Sequence, residues 1–131
     1  MHAFLIELEN KPGGLAKIGE ALGSRGVNIE NIAGSACGSS GRVTVITSDD
    51  AAAREALASL GVKVDEFEVV EANLAHRPGT LGQAARRLAE AGVNIESILP
   101  TGMTGGDVTV GFVTSDPAKT REILSSVGAS R

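Results

Sequence analysis

From Phe4 the apolar residues Phe4, Ile6 and Leu8 alternate with Leu5, Glu7 and Glu9, a period of two that predicts a strand with one buried face. Pro12-Gly13 ends it, and from Leu15 the period changes. Leu15, Ile18, Ala21 and Leu22 fall on one stripe of a helix, with Lys17, Glu20 and Ser24 turned to water and Gly26 as its stop. A strand from about Asn28 to Ser35, a small-residue turn at Cys37 to Gly41 and a strand over Val43 to Thr47 read as a hairpin. Asp49 caps a second helix whose apolar side is Ala53, Ala56, Leu57 and Leu60. Gly61 closes that helix before a strand beginning Val62-Lys63-Val64.

The pattern then starts again. Leu8-Glu9-Asn10-Lys11-Pro12-Gly13-Gly14-Leu15 returns as Leu74-Ala75-His76-Arg77-Pro78-Gly79-Thr80-Leu81, and Gly26-Val27-Asn28-Ile29-Glu30 as Gly92-Val93-Asn94-Ile95-Glu96. The differences 78 − 12 and 94 − 28 are both 66, so one structural unit is duplicated. The second copy has a strand through Val70, Ala72 and Leu74, then a helix with Leu81, Ala84, Ala85 and Leu88. A strand from Asn94, a strand over Val108, Val110 and Phe112, and a helix capped by Asp116 with Pro117 at its first position follow. Thr114-Ser115-Asp116 repeats Thr47-Ser48-Asp49 at an offset of 114 − 47 = 67, which predicts a second hairpin loop longer by one residue.

The expected architecture is α+β: two ferredoxin-like βαββαβ units, residues 1–66 and 67–131, each an antiparallel sheet with helices on one face. After Val127-Gly128 only three residues remain, so the second unit is expected to lack most of its last strand. An unpaired sheet edge invites another chain, and a homodimer is expected to cover it.

The 131 residues, 42% of them hydrophobic, can bury a core, and no apolar run approaches the roughly 18 residues that span a bilayer. Met1 to Glu7 lacks the basic and apolar segments of a signal peptide, and Cys37 is the single cysteine, so a cytoplasmic address and no membrane association are expected. A net charge of −4 opposes a nucleic-acid partner. An RNA-binding module of the same element order would stack bases on aromatic residues, and only Phe4, Phe67 and Phe112 are present.

The glycine runs at 34–41 and 102–106 lack the Gly-Lys-Ser/Thr ending of a phosphate loop and open no helix, so they read as hairpin tips. No triad, metal cluster or paired acid stands out, and neither Lys11 nor Arg77 lies in the phosphate-loop pattern of an acylphosphatase. Neither catalysis nor a cofactor is expected. The helix start after each Pro-Gly, with unpaired N–H groups and the positive end of the dipole, suits a carboxylate. The amides of Asn10 and Asn28 can both donate and accept, as an amino acid's ammonium and carboxylate require.

Asn10-Lys11-Pro12-Gly13-Gly14-Leu15 with Gly26-Val27-Asn28-Ile29 resembles the signature of ACT domains, the amino-acid-sensing modules of metabolic regulation. His76-Arg77-Pro78-Gly79-Thr80-Leu81 with Gly92-Val93-Asn94-Ile95 extends the resemblance over nearly the whole chain. It implies a free-standing tandem ACT protein without its own catalytic domain, binding a free amino acid and signalling to a separate metabolic enzyme or regulator. It also implies an effector site at the first turn and the start of the second strand. By motif these are Asn10, Lys11, Pro12, Gly13, Gly14, Leu15, Asn28 and Ile29, and in the second copy His76, Arg77, Pro78, Gly79, Thr80, Leu81, Asn94 and Ile95. His76 departs from the family's asparagine, so the two sites need not be equivalent. The first copy is also similar to the opening of acetohydroxyacid synthase regulatory subunits, whose second domain lacks the phrase found here at Pro78-Gly79. Such a subunit, or an interaction scaffold without a ligand, is the alternative reading.

Overall fold

The computed structural model describes residues 1–127 and divides the chain into two compact units, Met1–Phe67 and the part from Glu68 on. In the first, β1 (His2–Glu9), α1 (Gly14–Gly23), β2 (Ile29–Cys37), β3 (Ser40–Thr47), α2 (Asp50–Ala58) and β4 (Val64–Glu68) build an antiparallel sheet in the order β2-β3-β1-β4. Phe4 lies opposite Val45 and Ile6 opposite Val43. This register puts four apolar side chains on the helix-covered face. Ile18 and Leu22 of α1, four residues apart, and Ala53, Ala56 and Leu57 of α2 close the core over them.

The second unit repeats the plan with β5 (Val70–Ala75), α3 (Thr80–Glu90), β6 (Ile95–Thr104), β7 (Asp107–Thr114) and α4 (Pro117–Leu124). Its core sets Ala72, Leu74, Val110 and Phe112 of the sheet against Ala84, Leu88 and Leu124 of the helices. The βαββαβ repeat is therefore that of two ferredoxin-like units. Among the described residues the second sheet has three strands, in the order β5-β7-β6, and β5 pairs on one side only. Residues 128–131, on which part of the missing-strand expectation falls, lie outside the described residues.

Aspartates cap the second helix of each unit, as the sequence predicts: Ala52 N–H donates to Asp49 Oδ1 at 3.0 Å, and Lys119 N–H to Asp116 Oδ1 at 3.0 Å.

Three expectations need correction. The two hairpins have loops of equal length, with Cys37 opposite Ser40 and Thr104 opposite Asp107. The extra residue of the second copy lies inside β6, where Pro100 pairs with Val110 and Gly102 with Thr109, leaving Thr101 as a bulge. Proline has no N–H to donate, and Pro100 sits where that is tolerated, on an edge strand beside a bulge. The bulged Thr101 donates through Oγ1 to Glu71 Oε2 at 2.5 Å.

Second, Leu15 and Leu81 are 53% and 51% exposed rather than part of the core stripes, which begin at Ile18 and Ala84 apart from the buried Thr80. Third, Ala3, Leu5 and Ile46 are buried together with Phe4 and Ile6, so β1 is buried on both faces where alternation predicted one.

Arg54 of α2 grips Glu66 of β4 with both arms of its guanidinium, Nε to Oε1 at 2.7 Å and Nη2 to Oε2 at 2.8 Å, and His2 Nδ1 lies 3.2 Å from the same carboxylate. The Arg54 hydrogen bonds hold the Glu66 carboxyl below its ordinary value of 4.5. A depressed carboxyl stabilises the fold above its unfolded pKa, and that contribution fades as pH falls through the folded value. In Arg54→Met, an NMR titration should find the Glu66 midpoint moved up toward 4.5, with a smaller loss of stability on acidification below about pH 5. Phe112 is fully buried, and Phe112→Ala should cost about 3–5 kcal/mol, read from urea unfolding.

Candidate functional site

Each first helix is entered through a turn that only glycine makes cheaply. Gly13 and Gly79 sit at φ +93° and +91° as N-caps of α1 and α3, in the left-handed region where a side chain strains the backbone. Gly14 differs in that its φ is ordinary and the space beside it is tight. A Cβ there would stand 2.7 Å from Leu8 Cδ1 and 3.3 Å from the Glu9 carbonyl oxygen. The second copy instead has Thr80 at this place, 3% exposed. Neither glycine cap supplies a side-chain acceptor and neither helix has an acid in its first turn, so the first N–H groups lack side-chain capping.

Asn10 fixes this turn in space. Its Nδ2 donates to the Gly38 carbonyl at 2.9 Å and its N–H to the Ser39 carbonyl at 2.9 Å, which fastens the turn to the β2–β3 hairpin tip. His76 keeps the backbone bond alone, N–H to the Gly106 carbonyl at 2.9 Å. Beside Asn10, Lys11 Nζ lies 2.9 Å from Glu9 Oε2, and this hydrogen bond holds the exposed Glu9 carboxyl below its ordinary range.

The turn, the edge strand β2 and the hairpin end of β3 enclose a cleft of about 400 Å³, within the range of small-molecule sites. Asn10, Lys11 and Leu15 line it, as do Ile32, Gly34 and Ser35 of β2 and Gly41 to Val43 of β3. Of the other residues named from the sequence, Pro12, Gly13 and Gly14 build the turn, while Asn28 is exposed and Ile29 packs partly buried against the core; these five are not among the lining residues. His76 to Gly79 form the exposed second turn, Leu81 is exposed, Asn94 donates through Nδ2 to Glu96 Oε1 at 3.0 Å, and Ile95 packs partly buried on the second core. The β2 and β3 lining was missed, although a glycine interrupting a strand, as Gly34 does, is a signal of close approach or vacant space.

Asn28 and Asn94 have a shared backbone role. Asn28 N–H donates to Ser48 Oγ at 2.9 Å and Ser48 N–H returns to the Asn28 carbonyl at 3.0 Å; Asn94 and Ser115 do the same at 3.0 and 2.9 Å. The two repeated phrases, Gly-Val-Asn and Thr-Ser-Asp, thus meet in each unit. Ser48→Ala and Ser115→Ala should each remove one acceptor and lower stability by about 1 kcal/mol in a denaturant titration.

Among the described residues, no three His, Cys, Asp or Glu side chains gather as a metal site, and no helix is long and apolar enough to cross a membrane. Cys37 is exposed and free.

Residues 2–62 match the ACT domain family. A Bacteroides thetaiotaomicron protein of known structure is 27% identical, with a TM-score of 0.77 over 95% of this chain and 85% of its own. The ligand-free regulatory subunit of aspartate kinase from Thermus thermophilus is 22% identical, with a TM-score of 0.64 over 96% of this chain and 91% of that one. The corresponding subunit from Thermus flavus is 24% identical, with a TM-score of 0.66, covering 94% and 87%. At these identities the two subunits establish a shared fold. No curated protein matches the chain.

Proposed function

For a chain whose first unit is an ACT domain and whose second unit repeats its fold, we propose an amino-acid-binding regulatory role. A free amino acid binds the cleft at the β1–α1 turn of the first unit, and its occupancy is passed to a separate enzyme or regulator. One observation carries the reading: in an ACT domain, the cleft brings Asn10 and the start of α1 to one end of a hollow of small-molecule size. The N–H groups of the first turn suit the carboxylate. The Oδ1 of Asn10, whose Nδ2 is already committed to Gly38, is an acceptor for the ammonium.

Occupancy would be felt beyond the cleft because its wall joins a turn, an edge strand and a hairpin that Asn10 ties together. The turn His76 to Leu81 with Asn94 and Ile95 is a second position of the same kind, altered by the loss of the asparagine side-chain tie and by the β6 bulge. A second copy of the chain pairing at an open sheet edge is part of this proposal, since β2 ends the first sheet beside the cleft.

Calorimetric melting against each common amino acid tests the role, the absence of Trp and Tyr making intrinsic fluorescence a poor probe. An effector at about 100 times its Kd should add roughly 2.7 kcal/mol and raise the midpoint. Asn10→Ala should reduce that shift, and a midpoint unmoved by every amino acid would overturn the reading.

A further inference from the structure

From the lining of the first-unit cleft we infer that its occupant carries an aliphatic side chain of valine, leucine or isoleucine size. The inference rests on the reading of this cleft as an amino-acid site. The strand register determines which side chains form its floor. Leu8 lies opposite Gly41, Gly41 opposite Ala36, and Gly34 opposite Val43, and residues facing each other across a ladder share a sheet face. Val43 belongs to the helix-side core, so Gly34, Ala36 and Gly41 occupy that side too, and the floor there has almost no side chain.

The hollow is specific to this copy. A Cβ on Gly34 would meet Val43 Cγ2 at 3.2 Å and the Arg42 carbonyl oxygen at 3.1 Å. The second copy has Pro100 at the matching place opposite Val110, followed by the Thr101 bulge.

Around the floor the walls are hydrocarbon. Leu8, Leu15, Ile32 and Val43 all border the cleft, and Leu15 and Ile32 remain 53% and 45% exposed, so apolar surface faces the place where a ligand sits. The charged groups offer little to a charged side chain. Glu9 and Lys11 satisfy each other at 2.9 Å. Arg42 alternates with Val43 along β3 and is paired across the ladder with Glu7, which directs its side chain to the opposite sheet face and leaves its backbone toward Gly34. The polar end is occupied by the backbone-like groups that suit the ammonium and carboxylate common to every amino acid. Discrimination therefore falls to the carbon walls, where burying each additional methylene favours binding.

The test is titration calorimetry on the full chain with valine, leucine, isoleucine, serine, threonine, aspartate and lysine. At least one of the three aliphatic amino acids should bind about tenfold or more tightly than every polar one. Gly34→Val should abolish that binding by filling the floor. Because that variant also strains its neighbours, Ile32→Asn, at an exposed position, is the second probe; it should weaken the aliphatic ligand about tenfold while the melting midpoint of the free protein stays near that of the parent. Tightest binding by a polar or charged amino acid would overturn the inference and leave the amino-acid site standing. Aliphatic binding unchanged in both variants would place the ligand elsewhere and overturn it as well. Binding of none of the seven, together with no thermal shift from any common amino acid, would remove the site itself.

Discussion

A strand can run into a helix lying back on its own sheet only if the backbone reverses within a few residues, and here Gly13 and Gly79 make that reversal in the left-handed region. Ile18 and Leu22 reach Phe4 and Ile6 because α1 starts where this turn sets it. The same glycines leave both helix starts without a side-chain cap, and in the first unit Leu15 of the opening turn borders the cleft. The helix packing of each unit thus depends on a few backbone angles, which a β-branched side chain at either glycine would disturb.

Duplication preserved the parts that hold the frame and relaxed those that shape the surface. The Asn28–Ser48 and Asn94–Ser115 clasps are nearly superimposable in their distances, as are the aspartate caps of α2 and α4. By contrast, Asn10 becomes His76, Gly14 becomes Thr80 and Gly34 becomes Pro100, all at or beside the first-unit cleft. The clasps satisfy backbone groups whatever the ligand, whereas a side chain added to a floor or a turn alters the space a ligand would use.

Much of the frame was legible in the sequence because local chemistry dictates it: Pro-Gly ends a strand, Asp49 and Asp116 open helices, and a 66-residue echo announces two units. What escaped depends on neighbours distant in sequence. Helical spacing places Leu15 on the same stripe as Ile18, but the first turn of α1 overhangs the hairpin end of the sheet, so Leu15 borders a cleft. An offset of 67 reports one added residue without saying whether a loop or a strand absorbs it; the register assigns it to Thr101. Asn10 and Lys11 could be named from the turn phrase and do line the cleft, whereas its floor at Gly34 and Gly41 emerges only once β2 and β3 are paired.

The proline and bulge of β6 also bear on how such a chain avoids self-adhesion. An edge strand exposes a row of hydrogen-bonding groups that any other extended segment can use, and on β6 Pro100 has no N–H to offer while the Thr101 bulge throws the following residues out of step. The matching strand of the first unit, β2, carries an irregularity only near its start, between Ile29 and Asn31. One chain therefore carries two edges of common descent but unequal stickiness. A protein with one blunted edge is less able to propagate sheet to sheet into an open-ended aggregate, a hazard that duplication of an edge-bearing unit would otherwise double.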